Sequence, residues 1–150
     1  MKFGLVSAAL AAFVFSLGLA SAQAAEDKDA NIRMAALRAG RQLARNLPKA
    51  QVTVNVGGKQ IVVSSSTIVP SLVEMLVHDR SPQVRRECAV ALRNVDPSQA
   101  APLWATLAEQ YNGSDRWYLE ALGIAADNRW DVMLPVWLEA VGGKYHTSKK

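Results

Sequence analysis

Apolar positions recur at helical spacing along most of the chain, and one short stretch alternates instead. From Ala30 to Leu47, the residues Ile32, Ala35, Ala36, Ala39 and Leu43 fall on one helical face. Asp27 and Asp29 stand near the start of this helix, where its dipole favours acids, and Pro48 stops it. Val52, Val54 and Val56 then alternate with Thr53 and Asn55, followed by Gly57-Gly58 and the run Lys59 to Val63. Two glycines accept the positive φ of a tight hairpin turn, so the pattern predicts a β-hairpin over 51–63. Its pairing sets Val54 opposite Ile61 and Val52 opposite Val63. A lone hairpin is marginal in water and needs helices to pack on.

From Thr67 onward the helical period returns. Val69, Leu72, Val73 and Leu76 form one stripe, and Val84, Cys88, Ala91, Leu92 and Val95 the next. Ser81-Pro82 starts the second of these helices, and Asp96-Pro97 starts a third, with Gln99 placed for a capping box. The third stripe is Leu103, Trp104, Leu107, Ala108 and Tyr111, ended by Asn112-Gly113. Ser114 is expected to cap a fourth helix with Trp117, Ala121, Ile124 and Ala125 inward, broken at Asp127-Asn128. The last helix presents Met133, Val136, Trp137, Ala140 and Val141. Gly142-Gly143 is expected to end it and to leave a disordered tail over 144–150.

These helices repeat. Pro102-Leu103-Trp104 returns as Pro135-Val136-Trp137, 33 residues later, and Pro70-Ser71-Leu72 lies 32 before the first. In the alternate helices, Glu87-Cys88-Ala89 matches Glu120-Ala121-Leu122, again 33 apart. A period of this length marks stacked supersecondary units sharing one core. The stretch from Asp79 to Leu92, with Pro82, Val84-Arg85, Ala89 and Ala91-Leu92, resembles the first helix of a HEAT repeat, and Ile32-Arg33, Ala36 and Ala39 resemble a degenerate earlier copy. Tyr111 to Gly123, together with Val84 to Asn94, resembles the helical-repeat region of large secreted bacterial proteins that also carry a sugar-dehydrogenase-like propeller and a C-x-x-C-H cytochrome domain. The match spans Ser81 to Gly142, and the hairpin lies outside the HEAT pattern. The expected fold is therefore mainly all-α, an α-solenoid of HEAT-like helix pairs with one inserted β-hairpin.

The N-terminus changes the compartment. Lys2, the apolar run Phe3 to Leu19 and the small residues Ala22-Gln23-Ala24 read as a signal peptide over 1–24, cleaved after Ala24 or, as second choice, after Ala22. The run is short for a membrane span, so no stable span is expected after cleavage. The domain is then 25–143, exported to the periplasm or beyond. Losing Lys2 lowers the formal charge from +4 to +3, too small an excess to indicate nucleic-acid binding. Cys88 is the one cysteine, which excludes an internal disulfide, a C-x-x-C-H haem site and a zinc cluster. No cofactor is expected.

Catalytic machinery is sparse. The histidines are His78 and His146, and no G-x-S-x-G elbow accompanies Ser64, Ser65 and Ser66. Asp115 and Glu120 flank Trp117, as paired carboxylates beside an aromatic platform would in a hydrolase, yet Asp115 suits a helix start and Glu120 repeats Glu87. The chain reads as a non-enzymatic scaffold that binds another exported protein. Arg85, Arg86, Arg116, Tyr118 and Trp130 are the candidate contact residues on a ridge of the stack. Trp130 is either such an anchor or a hydrophobic staple of the last helix. The resemblance implies that Arg85 pairs with acids of neighbouring repeats. It also implies an alternative function: an accessory subunit, or a detached fragment, of an exported redox or carbohydrate-processing complex.

Overall fold

The computed structural model describes residues 20–46, 51–56 and 59–146, with side chains described outside 51–63 and 143–146. Most of the expected signal peptide, the Gly57-Gly58 turn and the last four residues lie outside these, and residues 20–25 are helical. The chain is mainly helical. Its elements are α1 (Ala30–Asn46), β1 (Gln51–Val56), β2 (Lys59–Ser64), α2 (Ser65–Leu76), α3 (Pro82–Ala91), a 3-10 turn (Leu92–Asn94), α4 (Pro97–Glu109), α5 (Arg116–Ala126) and α6 (Trp130–His146). Among the described residues, no helix is long and apolar enough to cross a membrane. The chain divides into two compact units, residues 1–72 and 73–150.

In the first unit, α1 buries Arg33, Ala36, Leu37 and Gly40, so its inward face is rotated from the expected stripe, and Ile32, Ala35 and Ala39 are exposed. The rotation follows from Arg33. Its guanidinium donates to the carbonyls of Asp27 at 2.8 Å and Lys28 at 2.9 Å, which offsets the desolvation of a buried cation. Asp29 accepts the Asn31 N–H at 2.8 Å and so caps the helix start. At Gly40 an added Cβ would stand 2.2 Å from Leu72 Cδ1, so the missing side chain lets α1 come close to α2. The strands β1 and β2 pair antiparallel, with Val52 opposite Val63 and Val54 opposite Ile61.

In the second unit the α3 stripe lies inward as expected: Val84, Cys88, Ala91, Leu92 and Val95 are all buried. The stripe of α5 is rotated by one residue. Tyr118, Ala121, Leu122, Ala125 and Ala126 are buried, whereas Trp117 and Ile124 are exposed. Its cap is Asp115, which accepts the Tyr118 N–H at 3.1 Å, and not Ser114. Asp96 caps α4 by accepting the Ser98 N–H at 2.9 Å. Ser81 precedes α3 without a side-chain cap, its hydroxyl donating to Gln83 Oε1 instead.

The last helix runs through Gly142 and Gly143 to His146, so the expected stop at the glycine pair and a tail beginning at 144 are corrected. Glycine in a helix costs about 1 kcal/mol against alanine, a preference too weak to end a helix already propagating.

Packing follows the repeat. Within this unit α3 lies mainly along α5, and α4 along α6. Residues 33 apart thus sit on neighbouring helices. Between α4 and α5, the Trp104 indole Nε1 donates to the Leu122 carbonyl at 3.0 Å.

Candidate partner-binding surface

The helix pairs open on a recurring turn. Asp79 Oδ1 accepts the Ser81 N–H at 2.8 Å, and 33 residues on, Asn112 Oδ1 accepts the Ser114 N–H at 3.0 Å. The first unit holds the same turn, with Asp27 Oδ1 accepting the Asp29 N–H at 2.8 Å. An Asp or Asn side chain that takes the N–H two residues on substitutes for a backbone turn. In two copies an arginine six residues after the turn aspartate closes it from above: Arg33 donates to Asp27 O, and Arg85 to Asp79 O. Asn112 has Tyr118 at that place.

This turn decides the fate of two candidates. Arg85 is directed at its own loop and stacks over the Tyr118 ring, 5.7 Å from the centroid. Tyr118 is only 2% exposed, its hydroxyl donates to the Leu107 carbonyl at 3.0 Å, and Tyr111 stacks on it at 5.9 Å. Burial pushes its phenol above the usual tyrosine range, with Arg85 opposing. Tyr118 is therefore a core residue and not a contact residue. Its polar tip misleads in the sequence, because a buried tyrosine needs only one acceptor to be satisfied. Arg85 uses a carbonyl of its own loop and the ring of Tyr118.

The other candidates stand at the surface. Arg86 pairs with Asp115 at 3.6 Å, joining α3 to the start of α5. Arg116 is exposed and pairs with Glu120 one turn along, at 3.5 Å. Both carboxylates beside Trp117 thus have cationic partners, Asp115 also serving as a helix cap, which accounts for them structurally. Trp130 is half exposed and meets Trp104 edge to face, with ring centroids 5.9 Å apart. It is the first residue of α6 and not a loop residue before it.

Arg129 is not one of the candidate contact residues, yet it makes three hydrogen bonds to main-chain carbonyls. Its guanidinium donates to Val95 O at 2.6 Å, to Leu92 O at 3.0 Å and also to Ala125 O. These carbonyls end α3 with its 3-10 turn and α5, where helix dipoles place negative charge. The sequence signal is a basic residue just past the Asp127-Asn128 break; Asn128 takes the left-handed conformation at φ 58. Burial lowers the Arg129 pKa and Asp96 opposes that, leaving it charged.

The surface missed by periodicity alone is apolar. Trp117, Ile124, Leu134 and Leu138 of the last two helices are exposed, and so is Leu119. Cys88 is fully buried, and desolvation raises its thiol well above the ordinary range. Among the described residues, no three His, Cys, Asp or Glu side chains gather as they would around a metal. No family model, curated protein or solved structure matches the chain.

Proposed function

We propose that the protein is an exported, non-catalytic interaction module: an α-solenoid of HEAT-like helix pairs with a hairpin inserted in the first pair. The recurring turn supports the pairing, since it opens α1, α3 and α5 alike. The partner helices α2, α4 and α6 support it too, each carrying proline at its sixth residue: Pro70, Pro102 and Pro135. The turns at Asp27 and Asp79 are 52 residues apart where those at Asp79 and Asn112 are 33 apart, and β1 and β2 fall in the longer interval.

The observation that carries the function is the exposure of Trp117, Ile124, Leu134 and Leu138 on two helices joined by a short turn. Clustered large apolar side chains at a surface mark a contact site. Trp130, Arg86 and Arg116 are proposed as further contact residues, of the kinds usual beside an apolar interface centre.

The test is affinity capture of the tagged protein from the exported fraction of its own cells, beside Trp117→Glu, Trp130→Ala and Arg86→Glu variants. The expected result is a specific protein partner lost with Trp117→Glu and weakened by the other two variants. A partner indifferent to all three overturns this surface. N-terminal sequencing of the same material tests export, with Ala25 expected as the first residue.

A further inference from the structure

The pairs α3/α4 and α5/α6 carry the same repeat with unequal exposure. Val84 is 0% exposed and its counterpart Trp117 is 70%; Ala105 is 3% exposed and its counterpart Leu138 is 53%. Ala91 against Ile124, and Ala101 against Leu134, differ the same way. The positions in α3 and α4 are covered because α5 and α6 lie along them. Hydrogen bonding repeats the contrast. Trp104 donates to Leu122 O on the next pair, at 3.0 Å. Trp137, its counterpart one repeat on, has its Nε1 buried with no acceptor among the described residues. A buried N–H without a partner is unfavourable. A helix face left to solvent is ordinarily polar; this one carries tryptophan, isoleucine and leucine.

We infer that this face is the contact surface of a homodimer, in which α5 and α6 of a second copy cover α5 and α6 of the first. This rests on the interaction-module reading and names the partner. A second copy presents the same exposed apolar side chains, Trp117, Ile124, Leu134 and Leu138, to this face. The exposed apolar side chains offer on the order of 500 Å², close to the apolar share of the roughly 800 Å² each partner contributes to a stable interface. Charge does not oppose the pairing. On α5, Arg116 is matched by Glu120, so this helix brings no field of one sign to the contact. A face that contacts itself closes at two copies.

Sedimentation equilibrium of the protein purified from cells expressing the full chain tests this, from sub-micromolar to about 100 μM. The expected result is a reversible monomer–dimer equilibrium. Trp117→Glu and Leu138→Glu, both at exposed positions, weaken it at least about tenfold with the circular dichroism unchanged. A monomer throughout, a dimer indifferent to both variants, or an assembly that grows past two copies overturns the homodimer. Should the protein stay monomeric while Trp117→Glu still loses a captured partner of another sequence, the homodimer fails and the interaction module stands.

Discussion

The guanidinium of Arg85 lies over the ring of Tyr118, 5.7 Å from its centroid, and the two residues hold the same position in successive copies of the repeat. One side chain closes its own loop, and the next supplies the surface on which it rests. A double-mutant cycle with Arg85→Ala and Tyr118→Leu is expected to give a coupling of about 1 kcal/mol in urea unfolding. Tyr118→Phe keeps the ring and loses the bond to Leu107 O, and is expected to cost about 1 kcal/mol. Zero coupling in the cycle would mean that the stack is geometrically present and energetically idle.

Arg129 joins the ends of two helices through three carbonyls. Arg129→Ala removes a charged donor from all of them and is expected to destabilise the fold by about 2–3 kcal/mol. Arg129→Lys recovers a minor part, because an ammonium lacks the planar fork that spans the carbonyls. Thermal unfolding of the three proteins checks the order; equal midpoints for Lys and Arg would contradict the clamp.

Alkaline stability follows from burial. Cys88 and Tyr118 both have folded pKa values raised by desolvation, so each favours folding while protonated in the unfolded chain too. That contribution is complete below the ordinary thiol and phenol values and is lost as pH rises above them, since only the unfolded chain ionises there. Cys88→Ala is expected to flatten the fall in stability above about pH 9 by up to about 1.4 kcal/mol per pH unit. Native Cys88 should also resist a thiol reagent at pH 8 until the protein is unfolded.

The acid side has a local cause. Hydrogen bonds from Ser98, first of its side chain and then of its backbone, hold the Asp96 carboxyl below the usual range. A depressed carboxyl contributes above its unfolded pKa and loses that contribution as pH falls through the folded value. Asp96→Asn keeps an acceptor at the cap and is expected to shrink the difference in stability between pH 7 and pH 3. An unchanged difference would assign acid sensitivity to other groups.

Much of this was legible in the residues, and the exceptions share a cause. Periodicity located every helix of the second unit, and the stripe of α3 lies inward residue for residue. It misplaced α1 and α5 because amphipathic spacing assumes that arginine and tyrosine point outward. Arg33 and Tyr118 point inward, each satisfied by main-chain carbonyls that no spacing rule sees. Trp117 shows the converse. Its spacing matches Val84 perfectly, but a repeat position is a core position only where another helix covers it. The long run of α6 through Gly142 and Gly143 was obscured by reading a weak propensity as a stop.

The turn clamp also orders events in time. Arg33 and Arg85 each reach back six residues or fewer to close a loop, whereas Gln110 reaches 33 residues to Val77, and Arg129 reaches 34 to Val95. Short closures carry the smaller entropic cost and form sooner. Each helix entry is therefore expected to take shape from its own few residues before any bond between pairs exists, so that folding proceeds by the docking of pieces whose beginnings are already set.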